Sequence, residues 1–203
     1  MWTVTDDTDA LQRVITMAAK RDQIVFFDFG VYKVTRTVNV PPESKIVGET
    51  YPVIMSSGEF FADINQPQPV VRIGRPGEAG SIEWSDMIVS TQGHQPGAVL
   101  FEVNLAASTS KPTGLWDVHA RVGEFCGVIP ECKSNKPSGG FAGSNLQVAQ
   151  CPTTPTVATP PAPVNTNCIA AYLMMHVTRS ATALYLENVW LWTADHDLDD
   201  PTR

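Results

Sequence analysis

No apolar run in this sequence approaches the roughly 20 residues that a membrane helix needs, so a membrane span is excluded and the chain reads as soluble. Basic residues are scarce, with 14 Lys and Arg against 21 Asp and Glu and a net charge of -7. A nucleic acid or an anionic membrane surface would need a basic face to offset its phosphates. Both are therefore excluded as partners, and a neutral or small ligand fits better. The four cysteines, Cys126, Cys132, Cys151 and Cys168, never take the Cys-x-x-Cys spacing of a zinc site or redox dithiol, so no metal and no cofactor is expected. There is no Asn-x-Ser/Thr sequon with a permissive middle residue. Met1 is followed directly by Trp-Thr-Val-Thr-Asp-Asp, without a basic and apolar leader, so the chain is read as carrying no secretory signal.

Long helices are also few. Thr5-Asp6-Asp7-Thr8 is a cluster of helix-capping residues, and Ala10, Leu11, Val14, Ile15 and Ala18 follow at helical spacing, which predicts one helix from Asp7 to Lys20. Asp6, Asp7 and Asp9 suit the positive end of its dipole, so they are read as caps rather than catalysts. From Gln23 the pattern changes to short β-rich runs divided by Gly, Pro and polar turns: 24–27, 32–34, 37–40, 45–47, 53–55, 70–73, 81–89 and 99–105. Such spacing suits a sandwich, a barrel or a solenoid. A single leading helix favours the solenoid, whose open end must be covered, and at roughly 20 to 30 residues per coil the length allows about six or seven coils. With 203 residues the chain most simply makes one domain.

Aromatic and ionisable groups crowd together in one place, Leu184 to Asp197. Leu184, Leu186, Val189 and Leu191 with Trp190 and Trp192 make a β-rich run, and Asp195, His196 and Asp197 follow it. Two indoles beside carboxylates suit a sugar, because a pyranose has an apolar face that stacks on indole and a rim of hydroxyls that carboxylates bind. A buried strand ending in a polar turn explains the same residues without a ligand. Trp190 and Trp192 alternate on one strand face, which puts Glu187 on the opposite parity if the strand is regular. Trp84 and Trp116 read as core or stacking residues, and His119 as the polar partner of Asp117. Asn145, Gln147 and Gln150 suit an amide ladder between coils. Residues 152–163 alternate Pro with Thr and Ala and so form an exposed loop; Cys151 and Cys168 would close it as a disulfide, with free buried thiols as the alternative.

The order Trp2 to Gln12, then Ile24-Val-Phe-Phe-Asp-Phe-Gly-Val-Tyr-Lys-Val34, Val38-Asn-Val-Pro-Pro and Lys45-Ile-Val-Gly48 resembles the opening of the pectate-lyase-like right-handed β-helix superfamily. This implies an all-β fold: a right-handed parallel β-helix with an N-terminal capping α-helix. Gly30 to Tyr32 would turn the chain between coils, and Gly48 would end the first. Further on, Gly114-Leu-Trp-Asp-Val-His-Ala-Arg-Val-Gly123, Gly140 to Pro152, Asn167-Cys-Ile-Ala-Ala-Tyr172 and Glu187-Asn-Val-Trp-Leu-Trp-Thr-Ala-Asp-His-Asp197 closely resemble fungal exo-β-1,3-glucanases of glycoside hydrolase family 55.

That resemblance implies two β-helical halves with the glucan site between them, of which this chain matches part of the second. The expected partners are β-1,3-glucan and the missing N-terminal half, and the implied location is extracellular. Residues 124–139 interrupt the family pattern and read as an insertion, and the pattern would continue through more coils after Arg203. The family inverts configuration, which needs a carboxylic acid and a second group that activates water across a water-sized gap. Glu187, Asp195 and Asp197 are the catalytic candidates here, with Asp117 weaker; Trp190, Trp192 and His196 are the substrate-binding ones. The resemblance places the family's proton-donating glutamate beyond this chain's last residue, so the chain alone is expected to lack a full catalytic site. The competing expectations are a non-catalytic β-glucan-binding protein and, more distantly, a polysaccharide lyase.

Overall fold

A computed structural model describes residues 5–122 and 169–193. The insertion at 124–139, the Pro/Thr-rich loop at 152–167, all four cysteines with the Cys151–Cys168 pairing, the amides Asn145, Gln147 and Gln150, Trp2, and the candidates Asp195, His196 and Asp197 lie outside the described residues. The predicted helix is present as α1 (Thr8–Lys20), with Leu11, Ile15 and Ala18 on its buried face. Of the expected capping acids, Asp6 and Asp7 take different parts. The carboxylate of Asp6, not Asp7, accepts the Thr8 backbone N–H at 3.0 Å, while Asp7 reaches across to accept the backbone N–H of Lys33 at 3.1 Å.

The rest is β-structure: β1 (Ile24–Phe27), β2 (Val31–Val34), β3 (Val38–Val40), β4 (Lys45–Gly48), β5 (Val53–Ser56), β6 (Gln68–Ile73), β7 (Glu83–Thr91), β8 (Ala98–Val103), β9 (Thr113–Val122), β10 (Leu173–Val177), β11 (Leu184–Glu187) and β12 (Leu191–Thr193), with a short 3-10 turn at Glu59–Phe61. Among the described residues every strand pairing is parallel, in one sheet of eight strands and one of four. The chain runs through the larger sheet, crosses to the smaller, and returns beside the strand it left. One position of the larger sheet is thus occupied in turn by Ile24, Lys45, Glu83, Gly114 and Tyr185. The described residues therefore form five levels of that sheet.

β1 and β2 belong to one level, since β1 pairs with β4 and β2 with β5. Gly30 therefore bends the chain within a level and does not pass it to the next; the next level begins at Lys45. In the upper levels the same bend is made by one residue. Asp86, Asp117 and Asn188 adopt left-handed backbone, with φ of 59°, 53° and 50°, a conformation that Asp and Asn tolerate better than other non-glycine residues. At Asp86 and Asp117 the turn does not end the strand, so β7 and β9 run through it for 9 and 10 residues, whereas at Asn188 the strand divides into β11 and β12. Gly48 is needed for a different reason: a Cβ there would lie 2.2 Å from the Asp86 carbonyl oxygen of the next level.

Residues that point inward stack into columns that form the core. Val25, Ile46, Trp84 and Leu115 occupy one column and are buried. Trp84 meets Phe101 of the smaller sheet edge-to-face, ring centroids 5.7 Å apart, a favoured geometry for an aromatic pair. Helix α1 closes the first level and also satisfies its exposed strand edges. The Gln12 side chain donates to the Asn39 carbonyl at 2.9 Å and accepts the Asn39 N–H at 2.8 Å. The Asp7 backbone N–H donates to the Lys33 carbonyl at 2.8 Å. No helix among the described residues is long and apolar enough to cross a membrane.

Candidate functional site

Beyond the bend, the outward face of the larger sheet changes character from level to level. Val53, Met55 and Ile88 make a small buried cluster separate from the main core. The column through Val53 and Ile88 continues as His119 and then Trp190; the column through Met55 continues as Ser90, Arg121 and Trp192. An aliphatic base thus gives way to an aromatic and cationic surface.

A cleft of about 640 Å³ opens over this surface. Its walls come from all five levels: Phe29 from the first, Thr50 and Tyr51 from the loop after β4, Ile88 from β7, His119 and Arg121 from β9, and Asn188, Trp190 and Trp192 from the last. With parallel strands about 4.8 Å apart, five levels extend it roughly 19 Å along the stack. That shape suits a linear ligand more than a compact one.

The aromatic wall is held by specific contacts. His119 lies between Tyr51, nearly parallel at 5.3 Å, and Trp190 at 5.9 Å. Trp190 packs against Trp192, ring centroids 6.5 Å apart. The Arg121 guanidinium lies 4.6 Å from the Trp192 ring centre, within cation–π range. The Trp190 indole N–H donates to Asn188 Oδ1 at 2.7 Å, and the Asn188 amide donates to the carboxylate of Asp117. The Trp190 backbone N–H donates to His119 Nδ1 at 3.3 Å, and its carbonyl accepts the Ala120 N–H at 2.9 Å.

Burial first, and then Arg121, hold His119 below the ordinary histidine pKa, against the opposing pull of Asp117 and Asp86. Burial, with Asp117 and Asp86, raises the Tyr51 phenol. The cleft thus presents a neutral imidazole, a neutral phenol and one guanidinium to a ligand. Among the described residues no carboxylate lines it.

The candidates from the sequence divide accordingly. Trp190 and Trp192 share the cleft. Glu187 does not line it; its carboxylate accepts the Tyr185 hydroxyl at 2.7 Å on the other side of the bend, and this bond is the main reason the Tyr185 phenol is raised. Glu187 nevertheless faces outward like the two tryptophans, because Asn188 bends the strand and resets the alternation on which the opposite parity depended. Asp117 pairs with Asn188 rather than His119. Trp84 is core; Trp116 is half-buried, its ring lying over Gly114 and 5.9 Å from Tyr185. Phe29, Tyr51, Ile88 and Arg121 join the site although none was singled out in the sequence; Phe29 and Arg121 lie within the quoted motifs, and only the strand register brings the four together.

No family model matches the chain. It is 49% identical over 97% of its length to a protein named glucan 1,3-beta-glucosidase from Cochliobolus carbonum, covering 22% of that protein. It is 44% identical over 96% of its length to a probable glucan endo-1,3-beta-glucosidase from Arthroderma benhamiae, covering 20% of it. A non-secreted LysM effector, LysM15, from Penicillium expansum is 37% identical over 96% of the chain, 12% of that protein. The chain is homologous throughout to part of these proteins and spans about a fifth of the first two.

Proposed function

We propose that this chain is part of an extracellular exo-β-1,3-glucanase, built on a right-handed parallel β-helix of which residues 1–203 are one partial domain, and that its aromatic cleft forms one wall of the glucan site. The observation that carries the reading is the Tyr51, His119, Trp190 and Trp192 surface running along the stack. Indole and phenol faces take the apolar face of a pyranose, while the His119 imidazole, Asn188 amide and Arg121 guanidinium can bond its hydroxyls. The parallel pairing of every strand, with return of the chain to the neighbouring position, supports the β-helix. The relatives' names support β-1,3-glucan as the substrate.

In the complete protein the reaction would be a single inverting displacement that releases glucose: an acid protonates the leaving oxygen while a base activates water on the opposite face. The cleft supplies binding and orientation. Glu187 is committed to Tyr185 and stands apart from the cleft. Asp195, Asp197 and His196 follow directly on the last cleft strand and remain the candidates for contact with the reacting sugar.

The test compares glucose release from laminarin by this chain and by a longer polypeptide that extends it to the length of the relatives. Release by the longer polypeptide alone is the expected result; release by neither overturns the reading. A second reading, a β-glucan-binding protein without turnover, is favoured by the lack of a carboxylate among the described cleft residues. It predicts saturable laminarin binding, lost in Trp192→Ala, with no glucose from either polypeptide.

A further inference from the structure

The backbone N–H of Trp190 is bonded to a side chain. Trp190 stands opposite His119 just after the Asn188 bend, and the β9–β12 register resumes only at Leu191 opposite Ala120. Its N–H turns to His119 Nδ1 at 3.3 Å. An imidazole nitrogen can accept a hydrogen bond only when it carries no proton. This contact therefore requires Nδ1 to be bare, which places the proton of the neutral ring on Nε2. Protonation of the ring would put N–H against N–H, and the bond would become a repulsion.

We propose that His119 is a positioning residue that latches Trp190 into the cleft wall only while its imidazole is neutral, so that the ligand-binding face is set at neutral pH and released on acidification. As a statement about sugar affinity this rests on the glucan reading above; as a statement about the wall itself it does not.

The groups around the ring decide the sign. Tyr51 stacks on one face and, with its phenol raised, stays neutral. Asp117, on the same strand, and Asp86, on β7, favour the charged ring, whereas burial and Arg121 disfavour it, and the latter pair prevails. Asp117 is itself engaged by Asn188. The latch therefore stays closed at neutral pH and opens as pH falls below the ordinary histidine value. Trp190 then keeps its indole bond to Asn188 and its carbonyl bond to the Ala120 N–H but loses the bond of its own N–H, which shifts the ring without unfolding the strand.

The test follows the indole N–H signal of Trp190 by nitrogen-15 NMR, assigned through its loss in Trp190→Phe, together with the His119 ring nitrogens in the intact chain. The neutral ring should show the Nε2–H form, and the Trp190 signal should move with the same midpoint as His119. His119→Asn offers an acceptor oxygen near the position of Nδ1 and does not titrate, so its Trp190 signal should stay close to wild type and flat with pH. His119→Ala should show the displaced signal at every pH. Laminarin affinity should fall roughly fivefold across the wild-type midpoint, as expected for loss of one hydrogen bond, and stay constant in His119→Asn. A ring protonated on Nδ1 at neutral pH, or a Trp190 signal that titrates equally in His119→Asn, overturns the latch. Normal indole titration with no laminarin binding at any pH upholds the latch and overturns the glucan reading.

Discussion

The two ends of the described stack treat the same inward column in opposite ways. Val25, Ile46, Trp84 and Leu115 are buried in it, whereas Leu186, one level on, is 43% exposed. The neighbouring column repeats the contrast: Ile54, Val89 and Ala120 are buried and Leu191 is 49% exposed. At the first level, α1 lays Leu11, Ile15 and Ala18 over the core and bonds the strand edges. Burial in a stacked sheet is thus conferred by the level next door as much as by the residue. Trp190 and Trp192 of the cleft wall belong to this last described level.

The sharpest way to break this contrast is to truncate one residue at each place. Trp84→Ala, in the sealed part, should cost about 3 to 5 kcal/mol through lost contacts and a cavity. Leu186→Ala, in the same column, should cost less, about 1 to 2 kcal/mol, because 43% of its surface is already in water. Denaturant midpoints measure both, and equal losses would show that the two ends do not differ. Gln12→Ala probes the cover itself. It removes both bonds to the Asn39 backbone and should cost about 2 kcal/mol, split between lost bonds and unsatisfied strand-edge groups.

A smaller effect sharpens the covered end further. Asp6 accepts hydrogen bonds from Thr35 and from Thr8. Burial alone would raise its pKa, but these bonds outweigh it and lower the value from 3.8 to about 2. A carboxylate with a depressed folded pKa stabilises fully above the unfolded value and loses that stabilisation as pH falls through the folded one. Asp6→Ala should therefore cost about 1 kcal/mol at neutral pH, as for loss of a helix cap. The difference from wild type should vanish between pH 3.8 and about 2, which acid titration of the unfolding midpoint would show. His119 gives the matching prediction at the open end. Its folded pKa is lowered, so its stabilising contribution is complete above the ordinary histidine value and declines as pH falls below it. That decline should be absent in His119→Asn.

Much of this fold is legible in the sequence because its signals are local. The 3.6-residue spacing of Leu11, Ile15 and Ala18 marks α1, and β-branched runs such as Ile24–Phe27 mark the strands. The aromatic alternation of Trp190 and Trp192 marks one wall of the cleft. What pairs with what is not local. Nothing near Tyr51 says that it will stack on His119, because that contact depends on register across levels joined by windings of unequal length. The bends escaped for a related reason. Asp86 and Asp117 adopt left-handed backbone without the glycine that would announce it. β7 and β9 run through these bends unbroken, and the equivalent bend at Asn188 moves Glu187 off its expected parity.

The central claim, that the Tyr51, His119, Trp190 and Trp192 surface is one wall of a β-1,3-glucan site, is tested most directly by calorimetric titration of laminarin into the intact chain at neutral pH. The account predicts saturable binding that weakens about 5- to 30-fold in Trp190→Ala, since a stacked indole contributes on the order of 1 to 2 kcal/mol. No binding by the wild-type chain, or binding unchanged in Trp190→Ala, would contradict it.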